Sequence, residues 1–374
     1  MTAAPERPQP LRVLHIVQHL KSGGAETFVR GLAGGLRDVG IDVSILSLYP
    51  DGLNAQERAG LGVPAHSLER RGRGDVLGFY PRLVRAIRTS RPDIVHAHVH
   101  AGKYAGRIGA IVSGVRTIVF TEHGDELGGL RRAVVNRVLH ARTAAFVVFS
   151  ETQRRAFGAR ERVPLARIVV IPNGVGEPPP ADRERLRAEL GLEAGSFACF
   201  VPARLTEQKD PLLAVRAFAL AFRDDLKAHL FFAGTGPLEV TVRKEAATLG
   251  ITEQVTFLGF RDDAPRLMRA MDALLMASVW EGMPLALGEA MYAGLAVVTT
   301  PWHGHETFVR DGHDALVAAR ATPGALARAL ERLRDHDVRS SLAARARTTA
   351  EATFSLEASV AAHAALYERL AGRR

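Results

Sequence analysis

The stretch that decides the reading runs from residue 281 to residue 306: E-G-M-P-L-A-L-G-E-A-M-Y-A-G-L-A-V-V-T-T-P-W-H-G-H-E. A carboxylate, Glu281, precedes Gly282 and Pro284; an apolar segment carrying a second carboxylate, Glu289, follows, and Gly294 breaks it before the run 295–300. The order is loop, helix, turn, strand. Pro284 lacks an N–H and has φ set near the helical value, which predicts it in the first turn of the helix, and Gly282 lets the backbone enter tightly. The turn made by Gly282, Met283, Pro284 and Leu285 then opens a helix whose first N–H groups point outward, an end that attracts anions and phosphate above all. Glu289 falls about one and a half turns later at roughly 3.6 residues per turn, while Glu281 sits just ahead on the same mouth. Two hydroxyl-seeking carboxylates thus frame a phosphate-seeking backbone, a combination suited to a sugar nucleotide. Acidic residues near a helix N-terminus are also ordinarily just favourable to its dipole, so the whole pattern carries the reading and not the spacing of two Glu.

Working outward, 374 residues are too many for one ordinary core and predict two domains of about 170 residues each. Apolar content of 47 % and charged content of 24 % are near the globular average, which predicts a soluble, folded chain. Cys199 is the single cysteine, so no intrachain disulfide can form, and its apolar surroundings predict a buried side chain in a reducing compartment. Residues 1–10 are Pro-rich and polar, a loose leader and not a signal peptide. No apolar stretch approaches the ~20 residues that span a bilayer, so a cytoplasmic or peripheral protein is expected. Residues 1–175 hold 25 Lys+Arg against 14 Asp+Glu, a balance of +11, and the remainder holds 24 against 26, a balance of −2. The basic half should face something anionic. Arg82, Arg85 and Arg88 recur at helical spacing with Leu77, Leu83, Val84 and Ile87 as apolar partners. Such a helix can dock on acidic lipid headgroups, or present a solvated Arg-rich face. No nucleic-acid partner is expected.

In chain order, the apolar run 11–17, a loop at 19–24, a helix over 25–39 and an alternating run 41–48 make a β-loop-α-β unit. The rhythm continues with strands at 63–68, 94–98, 116–121, 145–150 and 167–171, and helices at 75–90, 102–113 and 131–141. Pro172 to Pro180, P-N-G-V-G-E-P-P-P, reads as an interdomain linker. A second set follows, with strands at 197–201, 228–233, 255–258, 273–277, 295–300 and 315–318 and helices at 211–222, 238–249 and 264–271, then helical patterns at 323–334, 338–350 and 355–370. Repeated β/α alternation predicts open parallel sheets with ligands at the carboxyl ends of their strands.

Several loops at such ends carry chemistry. Gly23 and Gly24, in L-K-S-G-G-A-E, let backbone N–H groups approach a ligand, though the loop lacks the G-x-G-x-x-G dinucleotide fingerprint and also reads as a plain tight turn. His123 follows a strand in T-E-H-G-D-E. Arg204 and Lys209 flank the short loop P-A-R-L-T-E-Q-K-D-P, where a planar fork and a point charge can reach one diphosphate. Gly234 and Gly236 end another strand, and Phe260 with Arg261 follow a further one. Asp335-His336-Asp337 has the carboxylate spacing of metal-dependent transferases but lies far along the chain from every phosphate loop, and no metal is assigned.

E-G-x-P-x-x-x-x-E followed by A-x-x-x-G and a β-run resembles the donor-binding signature of retaining glycosyltransferases of the GT-B fold, family four. The resemblance extends from residue 11 to about residue 370, with G-G-A-E, T-x-H-G, R-L-x-x-x-K and W-H-G-H-E in family order. Ala203 and Asp210 stand where glycines are usual, and His303 likewise. It implies an α/β protein of two Rossmann-like domains facing across a cleft: an acceptor domain over 11–175, a donor domain over 176–353, and a final segment 354–374 returning to the first domain. It implies metal-independent transfer of a sugar, with retention, from a UDP-, GDP- or ADP-sugar to a hydroxyl of a saccharide or lipid-linked acceptor, with no further cofactor. Arg204 and Lys209 would stabilise the leaving diphosphate, Glu281 would orient the sugar hydroxyls, and Glu289 would hold the ribose diol. His123 would reach the donor sugar, Gly23 and Gly24 would close the site, and the loops of Gly234, Gly236, Phe260 and Arg261 would flank the donor and its base. Two other readings stay open: a nucleotide-sugar epimerase of similar architecture, which would need acid-base residues that are not evident, and a non-catalytic membrane-associated binding protein.

Overall fold

The computed structural model describes residues 10–20, 23–70, 72, 74–99, 102–123 and 130–373. The leader, except Pro10, lies outside them, as do Lys21 and Ser22 of the first glycine loop. The chain divides into two units, Met1–Gly174 with Leu356–Arg374, and Val175–Ser355.

In the first unit the strands β1 (Arg12–Val17), β2 (Asp42–Ser47), β3 (Ala65–Ser67), β4 (Ile94–His98), β5 (Thr117–Thr121), β6 (Ala145–Val148) and β7 (Ile168–Val170) form a parallel sheet in the order β3-β2-β1-β4-β5-β6-β7. Period-two alternation sorts their side chains. Leu14 and Ile16, Val95, and Ile118 go to one face against Phe79, Leu83 and Ile87 of the helix Val76–Ser90. Each such side chain, fully buried, contributes roughly 1.5–3 kcal/mol. The intervening residues His15, His96, His98 and Thr121 go to the other face, with His15 opposite His96 in the β1–β4 register. That face is covered by the helix Leu356–Leu370, whose His363 and Tyr367 are buried, and this helix packs on Gly24–Asp38 through Leu356 and Val360.

In the second unit β8 (Phe197–Val201), β9 (Ala228–Phe232), β10 (Val255–Phe257), β11 (Ala273–Met276), β12 (Ala296–Thr299) and β13 (Leu316–Val317) stand parallel in the order β10-β9-β8-β11-β12-β13. Helices Pro211–Phe222 and Pro323–Arg332 pack together over a core of Val201, Leu230, Phe232 and Leu275. The Leu285–Ala293 helix packs on His336–Thr353. Both units are therefore Rossmann-like. In each the winding reverses beside the first strand, between β1 and β4 and between β8 and β11, where ligands bind in open α/β sheets.

Several elements differ from expectation. Residues 102–113 are two pieces: Gly102–Gly106 is wound as a π-helix before the α-helix Arg107–Val112. Gly102 there lies against the Ile16 carbonyl, so the chain is wedged onto β1 and β4. Helices Ala55–Ala59, Glu151–Glu161 and Arg183–Glu189 were not foreseen, although Asn54, Ser150 and Asp182 cap them through their side chains. Leu77, expected as an apolar partner on the basic helix, is 93 % exposed. The linker 172–180 is well tied down: Pro172 O accepts from Ser359 Oγ at 2.8 Å, and Val175 N–H donates to Phe354 O at 2.8 Å.

Candidate active site

The two loops leaving β8 and β11 are stitched together at the winding reversal of the second unit. Val279 N–H donates to Gln208 O at 2.9 Å, and Gln208 Nε2 donates to Trp280 O at 3.1 Å. Lys209 Nζ is ion-paired with Glu281 Oε1, which also accepts from Ser278 Oγ at 2.5 Å. Ser278 is itself fixed, its carbonyl accepting from Thr300 Oγ1 at 2.6 Å. One oxygen of Glu281 thus serves a cation and a hydroxyl; the other has no partner among the described residues. Arg204, on the same β8 loop, is exposed and its guanidinium has no partner among them either. The structure therefore brings Arg204, Lys209 and Glu281 onto adjoining loops at one sheet end.

Asp210 shows what its departure from the family pattern does. Its φ is 41° and ψ 62°, the left-handed region where glycine is easiest and Asp is tolerated. There it caps the Pro211–Phe222 helix, its side chain accepting from Leu213 N–H at 3.0 Å. A neighbouring loop explains Gly234 and Gly236: a Cβ at either would run into the carbonyl oxygens of Ala203 and Leu205. The two loops interlock, Leu205 N–H donating to Thr235 O and Leu238 N–H to Leu205 O, both at 3.0 Å. These glycines shape the arginine loop.

Pro284 corrects the sequence reading. With φ −75° and ψ 112° it is extended and precedes the helix, which begins at Leu285. Its φ suits a first turn, but ψ decides, and the N–H groups of Leu285 and Ala286 open the helix. Gly282 and Met283 lie in the connecting loop, Met283 and Leu285 buried. Glu289, midway along the helix, is half-buried and has no hydrogen-bond or ion-pair partner among the described residues; burial pushes its carboxyl up to about 7. Phe260 is 50 % exposed, whereas Arg261 is engaged by Asp263, Nε and Nη2 donating to its two oxygens at 2.6 and 2.7 Å. In the W-H-G-H-E segment Trp302 is buried and stacked on Phe308, while His303 and Glu306 are exposed, Glu306 beside His305. Asp335 caps its helix, accepting from Asp337 N–H at 2.8 Å and Val338 N–H at 3.2 Å. Burial also pushes the Cys199 thiol up.

In the first unit Gly23, at φ 118°, ψ 153°, caps the helix that starts at Gly24. A Cβ at Gly23 would strike the Glu26 carboxylate. His123, directly after β5, is half-buried, with Nε2 3.2 Å from Nδ1 of His98 and its ring edge-on to Phe149. Nε2 of His98 is in turn 2.9 Å from Nδ1 of His15. His98 and His15 were missed as functional candidates, yet H-x-H on a buried strand puts both of its imidazoles on one face, which is the available signal. Ring nitrogens of His15, His96 and His98 lie within 4.8 Å of one another. All but His15 Nε2 are spent on neighbours: His96 on Tyr367 Oη at 2.6 Å and Thr121 Oγ1 at 2.7 Å, His15 Nδ1 and His98 Nε2 on each other, and His98 Nδ1 on His123. A metal could enter only by breaking these bonds.

The family described as Glycosyl transferases group 1 matches residues 182–352, and that described as Glycosyltransferase Family 4 matches residues 22–176. The chain belongs to the group 1 glycosyltransferases. Its two-domain α/β architecture is the GT-B fold. The glycosyltransferase is 28 % identical over 270 residues, 68 % of its length and 70 % of the relative's, to the Escherichia coli UDP-Gal:alpha-D-GlcNAc-diphosphoundecaprenol alpha-1,3-galactosyltransferase. It is 26 % identical over 364 residues, 85 % of its length and 81 % of the relative's, to the D-inositol 3-phosphate glycosyltransferase of Mycolicibacterium vanbaalenii. Among solved structures, Anabaena HepE in complex with UDP and glucose aligns with a TM-score of 0.82 at 21 % identity, covering 96 % of this chain and all of that one.

Proposed function

We propose that this glycosyltransferase transfers a sugar from a nucleoside-diphosphate sugar to a hydroxyl of a saccharide or lipid-linked acceptor, with retention at the anomeric carbon and without a metal or other cofactor. The observation that carries the reading is the set at the β8–β11 reversal, an Arg204 with no partner among the described residues, Lys209 held on Glu281 and the helix start at Leu285, together with Glu289 on that helix, likewise without a partner among them. The two cations and the first-turn N–H groups would stabilise charge developing on the leaving diphosphate, ordinarily the largest catalytic contribution in such a reaction. The free oxygen of Glu281 would accept from a donor-sugar hydroxyl, and Glu289 would bind the ribose diol. The departing phosphate oxygen would take the acceptor proton. His123, Gly23 and Gly24 belong to the same reaction by family resemblance, as do the Gly234–Gly236 and Phe260–Arg261 loops beside the donor. We assign the second unit to the donor and the first to the acceptor.

The E. coli relative's name carries a diphosphoundecaprenol acceptor, and the HepE structures contain UDP and UDP-glucose; these support a uridine donor and a lipid-linked acceptor in polysaccharide or glycolipid synthesis. A basic groove lined by Arg12, Arg85, Arg88 and Arg91 lies at the amino end of β1, remote from the ligand loops, and would let the first unit rest on an anionic membrane. Among the described residues no helix is long and apolar enough to cross a membrane. None of the relatives named above is an epimerase. Thermal-shift measurements with UDP, GDP and ADP, then product analysis by NMR with UDP-glucose and chelator present, test the reading. An α-linked product formed in excess chelator is expected; an inverted product, or one that depends on added metal, overturns it.

A further inference from the structure

Three histidines of the first unit form a directed chain that ends at His123. His123 Nε2 lies 3.2 Å from His98 Nδ1, and His98 Nε2 lies 2.9 Å from His15 Nδ1. The far nitrogen, His15 Nε2, is buried and meets no hydrogen-bond partner among the described residues. Nδ1 of His123, at the other end, has no partner among the described residues. Burial keeps the rings neutral, pushing His15 and His123 down to about 3 and His98 well below the ordinary 6.5. A neutral imidazole carries one N–H and one lone pair, so each link needs a donor on one side and an acceptor on the other. Only two arrangements satisfy both links.

In one arrangement every N–H points towards His15: His123 donates from Nε2, His98 donates from Nε2, and His15 is left with an N–H at Nε2. That N–H would be buried with nothing to accept it, an uncommon condition in folded proteins. In the other, His15 Nδ1–H donates to His98 Nε2, His98 Nδ1–H donates to His123 Nε2, and only a lone pair is stranded at His15. His96 cannot rescue the first arrangement, because both its nitrogens are held by Tyr367 and Thr121. His363 cannot either: its Nδ1 is on the Ser359 carbonyl, and no partner among the described residues meets its Nε2.

We propose that His15 and His98 are positioning residues that fix His123 in its Nδ1–H tautomer, so that it serves the reaction as a hydrogen-bond donor to a substrate oxygen and not as a base. The proposal rests on the assignment of His123 to the reaction made above. Free imidazole favours the other tautomer in water, so without the chain His123 would present mostly a lone pair at Nδ1.

The decisive measurement needs no substrate. Long-range 1H–15N correlation on the uniformly 15N-labelled full chain at pH 7.5, with His123→Asn identifying the resonances, reports which nitrogen of His123 is protonated. A single Nδ1–H form is expected; an Nε2–H form in the unaltered protein overturns the proposal. His98→Phe should convert His123 to a tautomer mixture, and retention of the single form in a folded variant also overturns it. His15→Phe provides the same test one link away. Activity separates the underlying assignment: His123→Asn, whose amide N–H takes the place of Nδ1–H, should keep several-fold more kcat than His123→Gln. Equal and full activity in both would remove His123 from the reaction while leaving the tautomer result standing.

Discussion

Glu289 is half-buried on the Leu285–Ala293 helix with no hydrogen-bond or ion-pair partner among the described residues. Its carboxyl is pushed up to about 7 by burial with no compensating partner, so the folded state keeps a proton that the unfolded chain releases above the ordinary 4.5. Between those values the unfolded state binds fewer protons, and stability falls as pH rises towards 7. Glu289→Gln should therefore raise the melting temperature at pH 8, by roughly 2–4 °C for each 1 kcal/mol recovered, and at the same pH weaken nucleotide binding. Calorimetry with and without UDP reads both signs; a variant that loses stability and binding together refutes the account. In the unaltered protein, donor binding should tighten as pH rises from 6 to 8, because only the ionised carboxylate accepts from two hydroxyls. Arg204, exposed and without a partner among the described residues, has little folding role, so Arg204→Ala should leave the melting point nearly unchanged. A charged hydrogen bond contributes about 1.5–3 kcal/mol, so turnover with saturating donor should drop roughly tenfold to a hundredfold or more.

At the scale of elements, the β8 loop is fixed by its neighbours more than by its own sequence. Asp210 combines a left-handed backbone with a side-chain cap. Asp210→Ala should cost about 1–2 kcal/mol through loss of both, whereas Asp210→Gly should stay within a few tenths; urea unfolding distinguishes them. The parallel strands were legible because burial on both faces leaves apolar runs such as β6, and the alternation of strand and helix then dictates open sheets. The place of Arg204, Lys209 and Glu281 on loops at the strand ends was legible because they are polar where the apolar runs stop. The place of Pro284 was not, since proline restricts φ and leaves ψ to tertiary contacts. Nor was the Lys209–Glu281 pair, 72 residues apart in sequence, which only the adjacency of β8 and β11 creates. The short helix Ala55–Ala59 escaped notice despite its Asn54–Glu57 capping box, because it buries no side chain and so carries no apolar period.

Over the whole molecule, buried histidines among the described residues are unevenly shared, the second unit holding only the half-buried His229 pushed down in the same way. His15, His96, His98, His123, His140 and His363 all belong to the first unit and are all pushed down by burial from the ordinary 6.5, to about 3 for His15 and His123 and about 4 for His140 and His363. As pH falls below 6.5 the unfolded chain takes up protons that the fold refuses, and each such ring withdraws about 1.4 kcal/mol per pH unit. Peptides from the first unit should therefore exchange amide hydrogens faster at pH 5 than at pH 7, after correction for intrinsic rates, well before those from Val175–Ser355. Uniform protection in both units at pH 5 would contradict this.

The histidine face also has a history within each round of synthesis. Its cover, the helix Leu356–Leu370 with Tyr367, is made only after the whole of Val175–Ser355 has been translated. On the ribosome the first sheet must wait with His96 bare while an entire second unit emerges, so the nascent chain carries an unfinished, wet surface that late-arriving residues seal.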